Sequence, residues 1–348
     1  MRIGVLTGGG DAPGLNAVIR GIVRRAMQYG YETVGIRHGW RGFFDNEFFP
    51  LGKNEINGIL HRGGTILSTS RTNPYKKNDG EQKILQAMKD QNLDALIPIG
   101  GEDTLGVAAK LSKAGVKLVG VPKTIDNDLN GTDYTFGFDT AINIATEAID
   151  RLHSTAESHD RVIVVEVMGR HAGWLALYSG LAGGADMILI PEEPFSIEKV
   201  CESIKRRHEG GKNFSIIVVA EGAKIQTEET EDKDGSFILS SLEKDAFGHV
   251  RLGGIAEIVA KEIERRLGYE SRSTVLGHIQ RGGSPTARDR VLGLRFGIHA
   301  VDMIHKEMFG RMAALRGTEI VDVDIQEAVG KLKTVDPKFY ELANVFFS

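Results

Sequence analysis

The chain has 348 residues, of which 41% are hydrophobic, and a formal net charge of −4. This length suits two domains of ordinary size, and the absence of a basic excess argues against binding of nucleic acid through many phosphates. The single cysteine, Cys201, excludes an internal disulfide framework and a cysteine zinc site and fits a reducing compartment. No targeting segment is recognised and no apolar run reaches the ~18–20 residues that span a bilayer. The sequence therefore predicts a cytoplasmic protein that makes no membrane contact.

Short apolar runs alternate with amphipathic segments along the chain. In chain order, the pattern predicts strands at 3–6, 33–36, 93–99, 116–121, 161–166, 187–190, 215–221 and 273–276. It predicts helices at 15–29, 82–91, 104–114, 140–156, 174–182, 197–208 and 253–267. We expect an α/β fold of two doubly wound, mostly parallel-sheet domains, with the active site in the cleft between them. An acidic stretch, 226–235, breaks the alternation and is interpreted as a solvated loop.

A glycine turn follows the first predicted strand and opens the first helix. It reads Gly8-Gly9-Gly10-Asp11. Glycines let a phosphate approach the backbone, and a helix N-terminus adds free N–H groups and a positive dipole end. The spacing is neither that of a Walker loop nor that of the dinucleotide fingerprint. The turn is a candidate phosphate site, and a tight turn without a ligand is the alternative.

Two further loops follow predicted strands. In the first, Glu102 and Asp103 stand beside two glycines. A carboxylate in this position can hold Mg²⁺, which proteins usually bind through one or two carboxylates together with substrate phosphates. The alternative is that Asp103 is the N-cap of the next helix.

The second loop carries Thr124, Asp126 and Asp128. In an extended segment, alternate residues point to one side, so these three side chains are expected to converge. A carboxylate among them could take the proton of an attacking sugar hydroxyl during phosphoryl transfer. The alternative is an Asx turn around Asn127 and Asp128.

Two basic clusters lie further along the chain. One is Arg170, which follows Met168 and Gly169, and the other comprises Arg272, His278 and Arg281. Arginines bind phosphate groups through paired donors. Surface salt bridges are the alternative interpretation of both clusters.

Several of these segments together resemble the phosphofructokinases. Residues 272–283 followed by Asp289-Arg290 are similar to the family signature, and the segments 124–128, 131–135 and 167–170 match as well. The resemblance runs from Ile3 to about Gly297. It implies an enzyme that phosphorylates the 1-hydroxyl of fructose 6-phosphate, a step of glycolysis and gluconeogenesis.

The resemblance also implies roles for individual residues around the transferred group. Asp126 resembles the general base, supported by Thr124 and Asp128. Glu102 resembles the residue that holds Mg²⁺, the implied cofactor. Gly10 resembles part of the donor-phosphate turn and Arg71 a donor-side arginine.

The implied sugar-phosphate pocket draws on the second half of the chain. Its residues are Met168, Gly169, Arg170, Glu221, Arg272, His278 and Arg281. Arg170 also resembles an arginine at the place where charge develops during transfer. Arg161 resembles an arginine that reaches the sugar phosphate of a neighbouring subunit, which implies a homodimer or homotetramer. The expected domains are 1–138 with about 280–330 for the donor and Mg²⁺, and 139–279 with about 331–348 for the sugar.

Two positions bear on the phosphoryl donor. Members that use ATP usually have glycine where Asp103 and Lys123 stand, whereas members that use diphosphate (pyrophosphate) resemble this chain at both. An aspartate adds bulk and a negative charge where the α-phosphate of ATP would lie. Two unit charges 4 Å apart repel by ~4 kcal/mol at an effective dielectric constant of 20. We therefore expect a diphosphate-dependent enzyme in which Lys123 also binds the donor; a plain Asp103–Lys123 ion pair is the structural alternative.

Three other functions are alternatives to this one. The nearest is an ATP-dependent phosphofructokinase. An NAD kinase-like protein has a similar glycine-aspartate loop but would give Arg272, His278 and Arg281 no purpose. A non-enzymatic regulatory relative would be expected to have lost Asp126 or Glu102, and both are present.

Overall fold

The computed structural model describes residues 1–226, 236–237, 239–241, 247 and 251–347. Apart from Gln226, the acidic stretch that was interpreted as a solvated loop lies outside them. The strands are β1 (Arg2–Thr7), β2 (Glu32–Ile36), β3 (Phe48–Pro50), β4 (Ala95–Gly100), β5 (Val119–Pro122), β6 (Val162–Val167), β7 (Met187–Leu189), β8 (Ser215–Ala220), β9 (Lys224–Ile225), β10 (Ser236–Phe237), β11 (Leu239–Ser241), β12 (Arg251–Leu252), β13 (Ser271–Val275), β14 (Arg311–Arg316) and β15 (Glu319–Asp324).

The helices are α1 (Leu15–Gln28), α2 (Gly42–Asp45), α3 (Gly80–Asp90), α4 (Glu102–Lys113), α5 (Phe138–Ser158), α6 (Trp174–Ala182), α7 (Ile197–Glu209), α8 (Ile255–Leu267), α9 (Ala287–His305), α10 (Ile325–Gly330) and α11 (Pro337–Asn344). Every predicted helix and strand is present, with ends shifted by at most three residues. Cys201 is a buried member of α7.

The strands form two main sheets. The larger has the order β15-β14-β5-β4-β1-β2-β3 and is parallel from β14 to β2, with antiparallel edge strands. The smaller has the order β13-β6-β8-β7 and is parallel throughout. The predicted fold class, two doubly wound and mostly parallel units, is confirmed. The predicted domain boundaries stay a prediction.

Alternation along the strands explains why helices cover both faces of each sheet. In β1, Val5 packs with α1 and α9 in one core cluster, whereas Leu6 packs with α3 and α4 in another. In β6, Val164 and Val165 divide in the same way between two clusters of the smaller sheet. Side chains of successive strand residues point to opposite faces, so a continuous apolar run fills two cores at once.

The sequence analysis assigned no element after residue 276, and so it missed α9, β14 and β15. Helix α9 contains Gly293 and Gly297, which lower its intrinsic helix propensity. A Cβ atom at Gly297 would lie 2.3 Å from the carbonyl oxygen of Val18, and one at Gly21 would lie 2.6 Å from that of Leu294. Helices α1 and α9 therefore pack backbone against backbone, and this contact requires glycine at the helix interface.

The beginnings of α5 and α9 are joined by a buried carboxylate. Asp289 accepts hydrogen bonds from the backbone N–H of Thr140 at 2.8 Å and from its hydroxyl at 2.5 Å. In return, Thr286 caps α9 and donates to Asp139 at 2.7 Å. Burial raises the pKa of Asp289 to about 6. Asp289, part of the signature-like segment, thus has a structural role between two helix N-termini.

Candidate active site

One pocket gathers the loops that follow β1, β4, β5 and β6. It is lined by Gly9, Gly10, Arg71, Gly101, Glu102, Asp103, Thr104, Lys123, Thr124, Asp126, Asp128, Arg170 and Arg281. Parallel strands end at the same edge of a sheet, which explains why segments far apart in the chain meet here. Ten of the residues proposed from the sequence lie together in this lining.

Lys123 connects two of the loops. Its side chain is 3% exposed, and its ammonium group donates a hydrogen bond to the carbonyl oxygen of Gly10. Arg281 lies over the same turn and donates to the carbonyl oxygen of Asp11 at 3.4 Å. Burial, with the nearby positive charge of Arg281, lowers the pKa of Lys123 to about 7. Two cations therefore face the glycine turn, where an anionic group would be stabilised.

The resemblance assigned Arg281 to the sugar-phosphate pocket. A Cβ atom at Gly10 would lie only 2.7 Å from the Nη1 atom of Arg281, so this side chain covers the glycine turn. In the structure Arg281 lies on the side of the pocket where the donor phosphates were predicted to bind.

Thr124, Asp126 and Asp128 converge as predicted, but for another reason. The strand ends at Pro122, and Asn127 adopts a left-handed conformation with φ of 53°. The Asn127 side chain accepts a hydrogen bond from the N–H of Thr135 at 3.1 Å, eight residues ahead, which differs from the local Asx turn considered above. A bent loop tied to Thr135, rather than strand alternation, directs the three side chains into the pocket.

Asp126 has an unusual environment for a carboxylate. Asp126 is only 5% exposed, and its backbone N–H donates a hydrogen bond to the Thr124 hydroxyl at 3.0 Å. The Oδ1 atom of its carboxylate is buried and has no hydrogen-bond partner. A buried carboxylate oxygen without a partner costs free energy that a ligand hydroxyl would recover. This atom therefore retains its capacity to accept a proton or a hydrogen bond.

Negative charge accumulates beside Asp126. Burial and the charges of Asp126 and Glu102 raise the pKa of Asp128, whereas Arg170 opposes this effect. A divalent cation held by oxygen ligands would relieve this repulsion, so the carboxylates present fit Mg²⁺. Among the residues that the structure describes, no group of three or more His, Cys, Asp or Glu side chains is arranged to hold a metal. A cation here would thus need phosphate oxygens as further ligands.

Asp103 is not the N-cap that one alternative proposed. Helix α4 begins at Glu102, its N-cap is Gly101, and both acidic residues lie in its first turn. The Asp103 carboxylate lies 3.9 Å from the Arg170 guanidinium, across the pocket from its own helix. Asp103 thus faces the site, and its negative charge enters the space beside the glycine turn.

Arg170 is held in place by the second sheet. It has φ of 51°, and its N–H donates to the Glu221 carboxylate at 3.1 Å. Burial, together with the charge of Asp126, raises the pKa of Glu221 to about 7. Next to Arg170, Gly169 has φ of 141°, a value that favours glycine, and the N–H of Met168 donates to Gln280 at 3.3 Å. Met168, Gly169 and Glu221 therefore form the layer behind Arg170.

Besides the layer behind Arg170, three further predicted sugar-phosphate residues lie outside this pocket lining. Arg161 and Arg272 both bind the carboxylate of Glu270, each at 2.6 Å. His278 is exposed, in the short 3₁₀ segment Gly277–Arg281. The structure brings Arg161 and Arg272 together with each other, but away from the pocket that Arg170 enters.

Sequence reasoning missed some residues of the site. Thr104 fills the space beneath the glycine turn, because a Cβ atom at Gly8 or Gly100 would lie within 2.5 Å of its side chain. Gln280 supports Met168, and Thr135 supports Thr124 by donating to its carbonyl oxygen at 2.8 Å. Thr135 and Gln280 lie within the segments that resemble the family, and this resemblance could have identified them as residues of the site. In the part of the chain that the structure describes, no helix is long and apolar enough to cross a membrane.

Sequence comparisons identify relatives along the whole chain. The sequence profile "Phosphofructokinase" matches residues 2–304. The chain is 61% identical, over all of both sequences, to a pyrophosphate–fructose 6-phosphate 1-phosphotransferase of Amycolatopsis methanolica. It is also 52% identical, over 98% of both sequences, to ATP-dependent 6-phosphofructokinase 3 of Streptomyces coelicolor. Relatives named for each donor are therefore similar to this chain.

The fold comparison agrees with the sequence comparison. A structure of phosphofructokinase from Saccharomyces cerevisiae superimposes with a TM-score of 0.80 at 30% identity, covering 99% of this chain and 46% of that one. The arrangement of the two sheets is therefore that of a known fold.

Proposed function

This chain belongs to the phosphofructokinase family and is a phosphotransferase, and from that premise we propose that its phosphoryl donor is diphosphate and its acceptor the 1-hydroxyl of fructose 6-phosphate. The products are fructose 1,6-bisphosphate and phosphate, and the reaction runs in both directions. The observation that carries this proposal is the convergence of Asp126, Lys123, Asp103 and Arg170 on the glycine turn within one pocket.

Asp126 is proposed as the general base. Its buried Oδ1 atom has no hydrogen-bond partner, and a sugar hydroxyl placed against it would supply one. A positioned base contributes roughly 10²–10⁴-fold to a proton-transfer step. Accepting the hydroxyl proton leaves the oxygen ready to attack phosphorus. Thr124 holds the N–H of Asp126 and thereby fixes the direction of the carboxylate.

Four cations surround the proposed path of the phosphoryl group. Lys123 and Arg281 lie over the glycine turn, and Arg71 and Arg170 line the same pocket. In phosphoryl transfer the charge spreads over the equatorial oxygens, so positioning and electrostatic stabilisation provide most of the rate acceleration. We assign Lys123, Arg281 and Gly10 to binding of the donor. Arg170 is assigned to stabilising the phosphoryl group while it is transferred.

Mg²⁺ is the proposed cofactor, held by Glu102 and assisted by Asp128. When bound, it neutralises charge on the phosphate oxygens as a Lewis acid. Burial and the charges of Asp126 and Glu102 raise the pKa of Asp128, and a bound cation would offset the cost of ionising it. The acidic residues at the start of α4 thus have a binding role beyond the helix.

The choice of diphosphate rests on Asp103 and Lys123. The Asp103 side chain adds bulk and a negative charge beside the glycine turn, and both disfavour the additional phosphate of a nucleotide. Lys123 presents a compact cation to a short and highly charged donor. The relative at 61% identity is named for pyrophosphate and supports this choice. An ATP-dependent enzyme is the second candidate, favoured by the relative at 52% identity that is named for ATP.

The sugar phosphate is proposed to bind at an interface between subunits. Arg161 and Arg272 lie outside the pocket that Arg170 enters and share the carboxylate of Glu270. Such a pair on an accessible face is suited to reach the 6-phosphate in a second copy of the chain. The exposed apolar side chains of Val275 and Ile279, which follow Arg272 in the chain, support association. A homodimer or homotetramer would complete each site.

An initial-rate assay tests the donor directly. The purified protein is incubated with fructose 6-phosphate and Mg²⁺, with either diphosphate or ATP as donor, and fructose 1,6-bisphosphate formation is followed. We expect kcat/KM for diphosphate to exceed that for ATP by at least an order of magnitude. A preference for ATP would overturn the donor assignment and leave the ATP-dependent enzyme as the conclusion.

A further inference from the structure

The segment 332–335, which we call the strap, follows α10 and contacts the loop that carries Asp128. Lys333 makes three hydrogen bonds to this loop. Its N–H donates to the carbonyl oxygen of Asp128 at 2.9 Å, and its ammonium group donates to the carbonyl oxygens of Thr132 at 3.0 Å and Asp133 at 2.7 Å. The strap therefore holds residues 128–133 through backbone atoms that do not depend on their side chains.

The opposite side of the strap contacts the beginning of α6. The indole N–H of Trp174 donates to the carbonyl oxygen of Lys333 at 2.9 Å, and the Lys333 ammonium lies 5.2 Å from the centre of the Trp174 ring. Glu192 accepts from the N–H of Val335 at 2.9 Å and from that of Gly173 at 3.0 Å. The strap is thus hydrogen-bonded both to the loop at 128–133 and to the beginning of α6.

Each anchored segment leads directly to a group of the proposed reaction centre. Asp128 is two residues after Asp126, and Trp174 is four residues after Arg170. In the part of the chain that the structure describes, Lys333 is not one of the residues that line the pocket. Lys333 is half-buried, and burial lowers the pKa of its ammonium group to about 8 against the opposing charges of Asp133 and Asp128. Withdrawing an ammonium group from water is costly unless its donors are used, and here two carbonyl oxygens of the loop accept hydrogen bonds from it.

We propose that Lys333 is a positioning residue of the phosphoryl-transfer site, which clamps the Asp126–Asp128 loop and the Arg170 segment in the relative placement that the reaction requires. The clamp acts through the backbone carbonyl oxygens of Asp133 and Thr132 and through Trp174. This inference rests on the proposed function, because it concerns the distance between the base and the charge-stabilising arginine. Small misplacements of reacting groups cost rate rather than binding.

The first test is kinetic, with whichever donor the wild-type enzyme prefers. Lys333→Met removes the ammonium and keeps the length of the side chain. We expect kcat to fall about tenfold while KM for donor and sugar changes less than about twofold, because the clamp acts on alignment and not on the pocket lining. Lys333→Arg, which keeps the charge and donors, is expected to restore kcat to within about threefold. Lys331→Met is the matched control, since this lysine is exposed and two residues earlier, and it should behave as wild type.

The second test needs no activity and separates this inference from the proposed function. Amide hydrogen exchange is measured in the full-length protein. Lys333→Met should exchange faster in 126–134 and 171–176, with exchange elsewhere unchanged, and Lys331→Met should match wild type. If Lys333→Met does not fold, Trp174→Phe tests the same clamp by removing one hydrogen bond, and the same two results are expected.

Three outcomes would overturn the proposal. They are wild-type kcat in Lys333→Met, a loss of kcat without faster exchange in the two segments, and a general rise in exchange without a change in kcat. A wild-type protein inactive with both donors would instead refute the proposed function.

Discussion

The carboxylate of Asp103 lies 3.9 Å from the guanidinium of Arg170, so residues that follow β4 and β6 meet across the pocket. This pairing links the residue proposed to select the donor with the residue proposed to stabilise the transferred group. A change at Asp103 should therefore affect both donor choice and transfer rate.

Asp103→Gly is expected to lower the ratio of kcat/KM for diphosphate to that for ATP by at least tenfold, because it removes bulk and like charge worth up to ~4 kcal/mol at close range. Asp103→Asn keeps the bulk and removes the charge, so it separates the two contributions. Steady-state kinetics with both donors provide the measurement. An unchanged ratio in both variants would remove Asp103 as the selecting residue.

Lys123 should couple donor binding to proton uptake. Burial lowers its pKa to about 7, so the free enzyme loses this charge as pH rises through 7. A bound polyanion restores the charged form, which raises the pKa again. Proton uptake on diphosphate binding should thus be small at pH 6 and approach about one proton at pH 8.5. Calorimetry in buffers of different ionisation enthalpy measures it, with Lys123→Met as the control that lacks this proton. Equal uptake in both proteins would refute the assignment.

Asp126→Asn is expected to lower kcat by roughly 10²–10⁴-fold and to leave KM for fructose 6-phosphate nearly unchanged, because the amide cannot accept the hydroxyl proton. The exposed Asp150 on α5 provides a matched control in Asp150→Asn. Initial rates in both reaction directions should fall together, since one group serves as base forward and as acid in reverse. Turnover retained at the wild-type level would exclude Asp126 as the base.

The proposed sharing of sites between subunits predicts complementation. Asp126→Asn and Arg161→Ala should each be nearly inactive alone, because one lacks the base and the other a phosphate ligand. A hybrid dimer contains one site with an intact Asp126 and an intact Arg161. Co-refolding or co-expression of the two variants should therefore restore about a quarter of wild-type activity for random dimers. Absence of any recovery, with hybrids detected by differential tags, would contradict a site completed by Arg161.

The surroundings of two helical glycines, Gly297 in α9 and Gly106 in α4, predict opposite effects of their substitution. Gly297→Ala should destabilise the fold by about 1–3 kcal/mol, because its Cβ atom would lie 2.3 Å from the carbonyl oxygen of Val18. Gly106→Ala, in α4, meets no atom within 4 Å and should stabilise by up to about 1 kcal/mol. Urea denaturation measures both free energies of unfolding. Equal stability of the two variants would contradict the backbone-to-backbone contact.

Much of the candidate site could be predicted from the sequence because its residues follow buried strands. Glu102, Asp103 and the segment 123–128 stand directly after apolar runs, and parallel strands end at one edge. Local patterns thus predicted the α/β class and the pocket residues of these loops. The pattern could not predict that Asn127 bends its loop through Thr135, since this depends on a side-chain contact eight residues away.

The sequence by itself determined that this chain forms two mostly parallel sheets and that carboxylates, glycines and arginines stand at the strand ends, because alternation and turn residues are local properties. Only the tertiary structure decided which distant groups meet. Arg281 contacts Asp11 across 270 positions, Arg161 and Arg272 share Glu270, and Lys333 reaches the Asp128 loop. Such contacts depend on how the sheets and the C-terminal segment pack, and no periodicity along the chain records that packing.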